Sequence, residues 1–209
     1  AWVGTGPPGA IQLVSGRIVV PSYRSYVNNT NGEITRSFLM LNDDPNGDPT
    51  AWYRGATVPG IQWTNECQAV ELAPNHVLLA ARGFLTKRIQ AESFDGGLSF
   101  QEPYWISITE PLEGCEGSII HHRKFKKLLY SGTVNTNPER FNMTVWSSNN
   151  EGKSWSLDLV VNTGRTSYSA MQIMPDGNRV GLLYERSNSS DFIFLPTQIS
   201  FLVVWPKPE

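Results

Sequence analysis

Short apolar runs separated by turn residues recur along the whole chain. Ile11-Gln12-Leu13-Val14, Arg17-Ile18-Val19-Val20, Ser37-Phe38-Leu39-Met40-Leu41, His76-Val77-Leu78-Leu79-Ala80, Met143-Thr144-Val145-Trp146 and Ile199-Ser200-Phe201-Leu202-Val203-Val204 each have the length and β-branched or aromatic content of a strand. Gly, Pro, Asn and Asp stand between them. No stretch combines a 3.6-residue apolar spacing with a capping residue, so no helix of any length is expected. The pattern predicts an all-β chain.

The turns themselves repeat. Ser93-Phe94-Asp95-Gly96-Gly97-Leu98-Ser99-Phe100 has the form S-x-D-x-G-x-x-aromatic, and Ser148-Asn149-Asn150-Glu151-Gly152-Lys153-Ser154-Trp155 repeats it with Asn for Asp. A looser copy runs from Asn42-Asp43-Asp44 through Gly47 to Trp52. The Asp or Asn falls at 44, 95 and 150, spacings of 51 and 55 residues. An acidic or amide side chain can accept backbone N–H bonds, glycine can take positive φ, and an aromatic can plug the gap between sheets. A β-motif at this period predicts propeller blades of four strands each. The role of these turns is structural, and Asp44, Asp95 and Asn150 are not candidates for catalysis.

Composition narrows the function classes. A net charge of −2 with 17% charged residues gives no electrostatic case for nucleic acid or an anionic membrane. No apolar stretch approaches the ~18 residues of a membrane-spanning helix. Cys67 and Cys115 are either one disulfide or two buried thiols, with thiols favoured. His76, His121 and His122 form no ligand spacing with them, and His121-His122 adjoin the basic run Arg123-Lys124-Phe125-Lys126-Lys127, read as a solvated loop. No metal or cofactor is expected. Three sequons, Asn28-Asn29-Thr30, Asn142-Met143-Thr144 and Asn188-Ser189-Ser190, point to the secretory pathway or lysosome, with the cytoplasm as the alternative.

Several segments in fixed order carry a family resemblance. Gly6-Pro7-Pro8-Gly9-Ala10-Ile11-Gln12-Leu13, then Gly16-Arg17-Ile18-Val19-Val20-Pro21-Ser22-Tyr23, Glu66-Cys67-Gln68 followed by Ala81-Arg82, Gly114-Cys115-Glu116-Gly117-Ser118, Leu128-Leu129-Tyr130-Ser131 through Arg140, and Tyr168-Ser169 through Leu183-Tyr184-Glu185 span nearly the whole chain. The series resembles the C-terminal portion of an animal-type exo-α-sialidase (neuraminidase), and the repeated turns resemble that family's Asp-boxes. Ala81 stands where the family usually has Asn. The resemblance implies a six-bladed sialidase β-propeller, of which 1–209 would form one partial domain of roughly four blades.

The resemblance also implies roles. A sialic acid carries a carboxylate on its anomeric carbon, which would repel an anionic nucleophile, and sialidases use tyrosine instead. Tyr168 would be that nucleophile and Glu66 the base that takes its proton. Arg82 and Arg140 would grip the carboxylate with paired N–H donors, and Tyr23 matches a position contacting the glycerol tail. Arg24, Arg54, Arg88, Arg165 and Arg186 are read as surface charges. The family's first arginine, in an R-I-P-like motif, and its acid/base aspartate have no match: Arg17 falls inside the central segment, and Asp48, Asp158, Asp176 and Asp191 lack the right neighbours. The missing part is expected upstream of Ala1, and the isolated chain is expected to have poor or no activity. Sialylated glycans (glycoproteins, gangliosides, oligosaccharides) are the implied partners. The rival reading is a catalytically inactive sialic-acid-binding or structural Asp-box propeller, which would have no use for a tyrosine–glutamate pair.

Overall fold

The computed structural model describes residues 1–28, 32–61, 63–135, 139–187 and 196–205. Among them every regular element is a strand except one 3-10 turn at Arg123–Phe125. The first antiparallel sheet holds β1 (Trp2–Thr5), β3 (Ile18–Asn28), β4 (Gly32–Asn42) and β5 (Trp52–Thr57) in that order, with β2 (Ile11–Gln12) also on β3. The second runs β6 (Thr64–Ala73), β7 (His76–Gly83), β8 (Lys87–Ser93) and β9 (Tyr104–Thr109). The third runs β10 (Ser118–His122), β11 (Lys127–Thr133), β12 (Phe141–Ser148) and β13 (Ser156–Ile173), and continues to β14 (Val180–Arg186) and β15 (Gln198–Trp205). Apart from β1, which pairs with β3, neighbours in sequence pair within each sheet, as expected of short hairpin connections.

β13 changes partners along its length. Its first part, from Ser156 to Arg165, pairs with β12, and its second, from Thr166 to Ile173, pairs with β14.

The chain divides into two compact units, Ala1–Phe84 with Ile89–Trp105, and Leu85–Arg88 with Ile106 onward. In the first, Val19, Leu39 and Leu41 pack against Cys67, Ala69, Val77, Leu79, Ala81 and Ala91. The run from Val77 to Ala81 is buried on both faces, which is why it reads as continuously apolar rather than alternating. In the second, Leu129, Met143, Val145, Met171, Val180 and Leu182 form the core. Cys67 and Cys115 are buried thiols.

The three repeated turns occupy equivalent places, joining β4 to β5, β8 to β9 and β12 to β13. In the second copy the Gly97 N–H donates to Ser93 Oγ at 2.8 Å, and the Leu98 and Ser99 N–H groups both donate to Asp95 Oδ1 at 2.9 Å. The third copy repeats this: Gly152 N–H to Ser148 Oγ at 3.0 Å and Ser154 N–H to Asn150 Oδ1 at 2.9 Å. Gly97 and Gly152 hold φ of 96° and 84°, open to glycine at no steric cost. Phe100 packs on the first core, and Trp155 is buried with its indole N–H on the Gly152 carbonyl. The looser first copy is built differently: Asn42 Oδ1 accepts the Asp44 N–H, and Trp52 stays exposed.

The basic run is exposed from Arg123 to Lys126, as a solvated loop should be, while β10 runs through His121 and His122, and His122 is buried against the Asn178 carbonyl at 3.1 Å. One expectation needs correction. Arg88 is no surface charge but wholly buried. Its guanidinium donates to Glu110 Oε1 and to the Cys115 carbonyl, each at 2.8 Å, and the Tyr130 hydroxyl donates to the same Glu110 oxygen at 2.7 Å. Burial alone would pull Arg88 down, but Glu110 outweighs it and holds the guanidinium above its ordinary value.

Of the sequons, Asn29-Thr30 and Asn188-Ser189-Ser190 lie outside the described residues. Asn142 sits at φ 58° with its side-chain N–H on the Val134 carbonyl at 3.2 Å, and the buried strand residues Met143 and Thr144 follow it. An amide so engaged is a poor glycan acceptor. Peptide mapping of the protein expressed through a secretory pathway is expected to find Asn142 unmodified; a glycan there would show that the turn opens before β12 pairs.

Candidate functional site

Each unit builds one half of the proposed residue set, and each half uses the same device. In β6, two residues, Asn65 and Glu66, stand opposite the single residue Arg82 of β7, a β-bulge. In β13, Ser167 and Tyr168 stand opposite Glu185 of β14, another one. A bulge inserts one residue, bends its strand and re-aims a side chain that would otherwise follow the pleat.

In the first unit, the Thr64 hydroxyl accepts the Ser37 N–H at 2.8 Å and the Ser37 hydroxyl donates to the Asn65 carbonyl at 2.5 Å. Asn65 then accepts the Glu66 N–H through its own side chain at 2.7 Å, satisfying an amide that the bulge removes from the ladder. This sets Glu66 Oε2 2.8 Å from Arg82 Nη1, with the two side chains only 8% and 16% exposed. Such a pair is charge-assisted and largely shielded from water. Tyr23, buried on β3, is within electrostatic reach of both: burial pushes its phenol up, Glu66 adds to the rise and Arg82 opposes it. Trp2 packs edge-on to the Tyr23 ring, centroids 4.9 Å apart.

In the second unit, Tyr168 is half-buried. Its backbone N–H donates to Glu185 Oε2 at 3.1 Å, and the next amide, Ser169, donates to the buried Glu116 Oε2 at 2.8 Å. The Ser169 and Ser131 hydroxyls meet at 2.9 Å. Two carboxylates and a serine thus hold consecutive groups of the strand, which fixes where the phenol points. Arg140, just before β12, accepts the Thr166 N–H on its carbonyl at 3.1 Å and donates from Nη1 to the Ser167 hydroxyl at 2.9 Å. Its guanidinium carbon lies 5.6 Å from the Tyr168 ring centroid, within cation–π range.

Glu66, Arg82 and Tyr23 therefore belong to one grouping and Arg140 and Tyr168 to the other. The parts of Glu116 and Glu185 had no local signal in the sequence. They stand within the quoted Gly114–Ser118 and Leu183–Glu185 segments, but nothing local announces that a carboxylate accepts an amide 53 or 17 residues away.

None of the aspartates with a displaced titration is suited to donate a proton at neutral pH, which needs a carboxyl held above its ordinary range. The Arg17 hydrogen bond lowers Asp43, the Thr50 N–H lowers Asp48, and the Arg179 N–H lowers Asp176. Burial pushes Asp95 up, but its hydrogen bonds from Ser99 outweigh that. Asp191 lies outside the described residues.

Residues 3–182 match a family model described as a BNR repeat-like domain. Sialidase-2 of Cricetulus griseus is 31% identical over 217 residues, covering 93% of this chain and 55% of its own length. Sialidase-4 of Mus musculus is 30% identical over 172 residues, covering 76% of this chain and 35% of its own. The chain spans about half the length of the first of these relatives, and less of the second. Among solved structures, a leech intramolecular trans-sialidase complexed with 2,7-anhydro-Neu5Ac aligns over 97% of this chain and 32% of its own, at a TM-score of 0.74 and 22% identity. The intramolecular trans-sialidase of Ruminococcus gnavus, in complex with oseltamivir carboxylate, aligns over 97% and 44%, at 0.72 and 23%.

Proposed function

The chain belongs to the sialidase family, through its BNR repeat-like domain and its animal relatives, and from that membership we propose that the complete protein is a retaining exo-α-sialidase. Its fold is that of the sialidase β-propeller, here in part. The substrates are terminal sialic acids on glycoproteins, gangliosides or oligosaccharides. The observation that carries the reading is the setting of Tyr168: a half-buried phenol on a bulge, its backbone held by carboxylates and a guanidinium over its ring.

In this reading Arg82 and Arg140 take the substrate carboxylate, each able to present two parallel N–H donors. Tyr23 contacts the glycerol tail. The Tyr168 hydroxyl oxygen attacks the anomeric carbon while the Glu66 carboxylate takes its proton, so no full phenolate has to exist beforehand. The bond to the leaving oxygen breaks with its electron pair, and that oxygen collects a proton from a general acid that we assign to none of Asp43, Asp48, Asp95 or Asp176. Water then attacks the tyrosyl-linked sugar from the vacated face, giving a proton back to the conjugate base of that general acid, and Tyr168 leaves and recovers its proton from Glu66. Two displacements at one carbon return the original configuration.

Proton NMR in the first minutes of 3′-sialyllactose hydrolysis by the complete protein tests this. The α-anomer of free sialic acid should appear first and mutarotate afterwards. A β-anomer first would rule out the tyrosyl intermediate, and saturable binding without turnover would favour the inactive binding propeller.

A further inference from the structure

Arg165 and Arg186 stand beside Arg140. Thr166 pairs across the ladder with Arg186, follows Arg165 in sequence, and donates its N–H to the Arg140 carbonyl, so one residue of β13 gathers three arginines. Together with Thr166, Ser167 and Ser187 they line a cleft of about 230 Å³.

The guanidinium groups are held in place without being used up. Arg140 donates to the Ser167 hydroxyl, and Arg186 donates from Nε to the Ser200 hydroxyl at 2.7 Å. Arg165 lies over the Phe141 ring at 4.8 Å, and its Nη2 is 3.5 Å from Glu139 Oε1 on a side chain 39% exposed, a loose pair. Arg165 Nη1 is buried and makes no hydrogen bond, and neither does the buried Thr166 hydroxyl. A buried donor left unsatisfied is costly, and a guanidinium offers five N–H groups. Among the described residues the carboxylates beside the cleft are Glu139 and Glu185, the second holding the Tyr168 amide, and the three arginines outnumber them.

We propose that Arg165 and Arg186 form an oxyanion site beside the one that takes the sialic acid's own carboxylate, with Arg140 at the border of the two. The three guanidinium groups that line it call for an anionic group with several acceptor oxygens, a carboxylate, sulfate or phosphate. Paired guanidinium forks suit all three groups. The proposal rests on the preceding reading only in giving Arg140 to the substrate. The oxyanion comes either from the substrate, as a second acidic sugar beyond the terminal one, or from free inorganic anion.

Calorimetric titration of the complete protein with sodium sulfate, at ionic strength held constant with chloride, tests the site. Wild type and Tyr168→Phe should bind sulfate equally, and Arg165→Gln/Arg186→Gln should bind it at least about tenfold more weakly. Arg165→Lys/Arg186→Lys should recover part of that loss, since charge returns without the fork. If the double Gln variant melts early, Arg186→Gln alone should show a smaller loss of the same sign. Sulfate affinity indifferent to these changes would overturn the site. So would one-for-one displacement of sulfate by an unsaturated sialic-acid analogue, because the cleft would then be the carboxylate end of the main site. The source follows from kcat/KM. If the preference for an α2,8-disialyl over a monosialyl substrate falls in the double Gln variant, the anion is the substrate's second carboxylate; an unchanged preference assigns it to free anion. A wild type that turns over no sialoside would end the sialidase reading and leave the sulfate result standing.

Discussion

Tyr168→Phe is expected to lower turnover of sialosides by the complete protein by about 10³-fold or more, while an unsaturated sialic-acid analogue still binds. The substitution removes one oxygen and little else. The ring stays under Arg140, and the backbone amides of Tyr168 and Ser169 keep Glu185 and Glu116, because those bonds involve no side-chain atom of Tyr168. The bulge therefore persists, and Arg140 keeps its bonds to the Ser167 hydroxyl and the Thr166 amide. A loss confined to kcat, with the analogue's Kd within a few-fold of wild type, is what loss of a nucleophile predicts. Wild-type-like turnover would remove Tyr168 from the mechanism, and parallel loss of binding would make it a shaping residue instead.

Arg88→Met should be the most damaging single change to stability in the second unit. Arg88 and Glu110 are both shut off from water, their side chains 0% and 2% exposed. Removing the cation leaves Glu110 as a buried, uncompensated carboxylate and strips a donor from the Cys115 and Gly117 carbonyls. Breaking such a pair costs about 3–5 kcal/mol, a large part of the ~5–15 kcal/mol that holds a domain folded. Urea unfolding of the complete protein reads this directly, with the exposed Arg54→Met as the control. Pairing Arg88→Met with Glu110→Gln should return much of the loss. The amide still accepts from the Tyr130 hydroxyl and carries no charge to bury. A loss no larger than the Arg54 control, or no recovery in the double variant, would mean that the pair does not govern the stability of its surroundings. Glu116 also feels the Arg88 charge and holds the Ser169 amide, so turnover should fall along with stability.

Strand content and the repeated turns are local properties and could be read from the chain alone. His76–Ala80, Met143–Trp146 and Ile199–Val204 lie inside β7, β12 and β15, because a short apolar run between turn residues is a local signal. The Ser93 and Ser148 turns were equally legible: serine, Asp or Asn, glycine and a second serine bond one another within seven residues, so their order in sequence is their geometry. The candidate tyrosine, glutamate and arginines could be picked out by resemblance, though not their surroundings.

Which polar residues lie inside depends on long-range packing. Arg88 stands next to Lys87 in an unremarkable strand, and its burial depends on Glu110, 22 residues on. The bulges at Glu66 and Tyr168 depend on one residue more on one strand than on its partner, a count that exists only once the strands pair. Arg165 and Arg186 read as ordinary surface charges until β13 exchanges β12 for β14 at Thr166 and draws them beside Arg140. Local periodicity reports which face of a strand is apolar. It carries no information about which distant carboxylate, amide or cation will stand opposite, because those contacts are set by how strands from separate parts of the chain pair and pack.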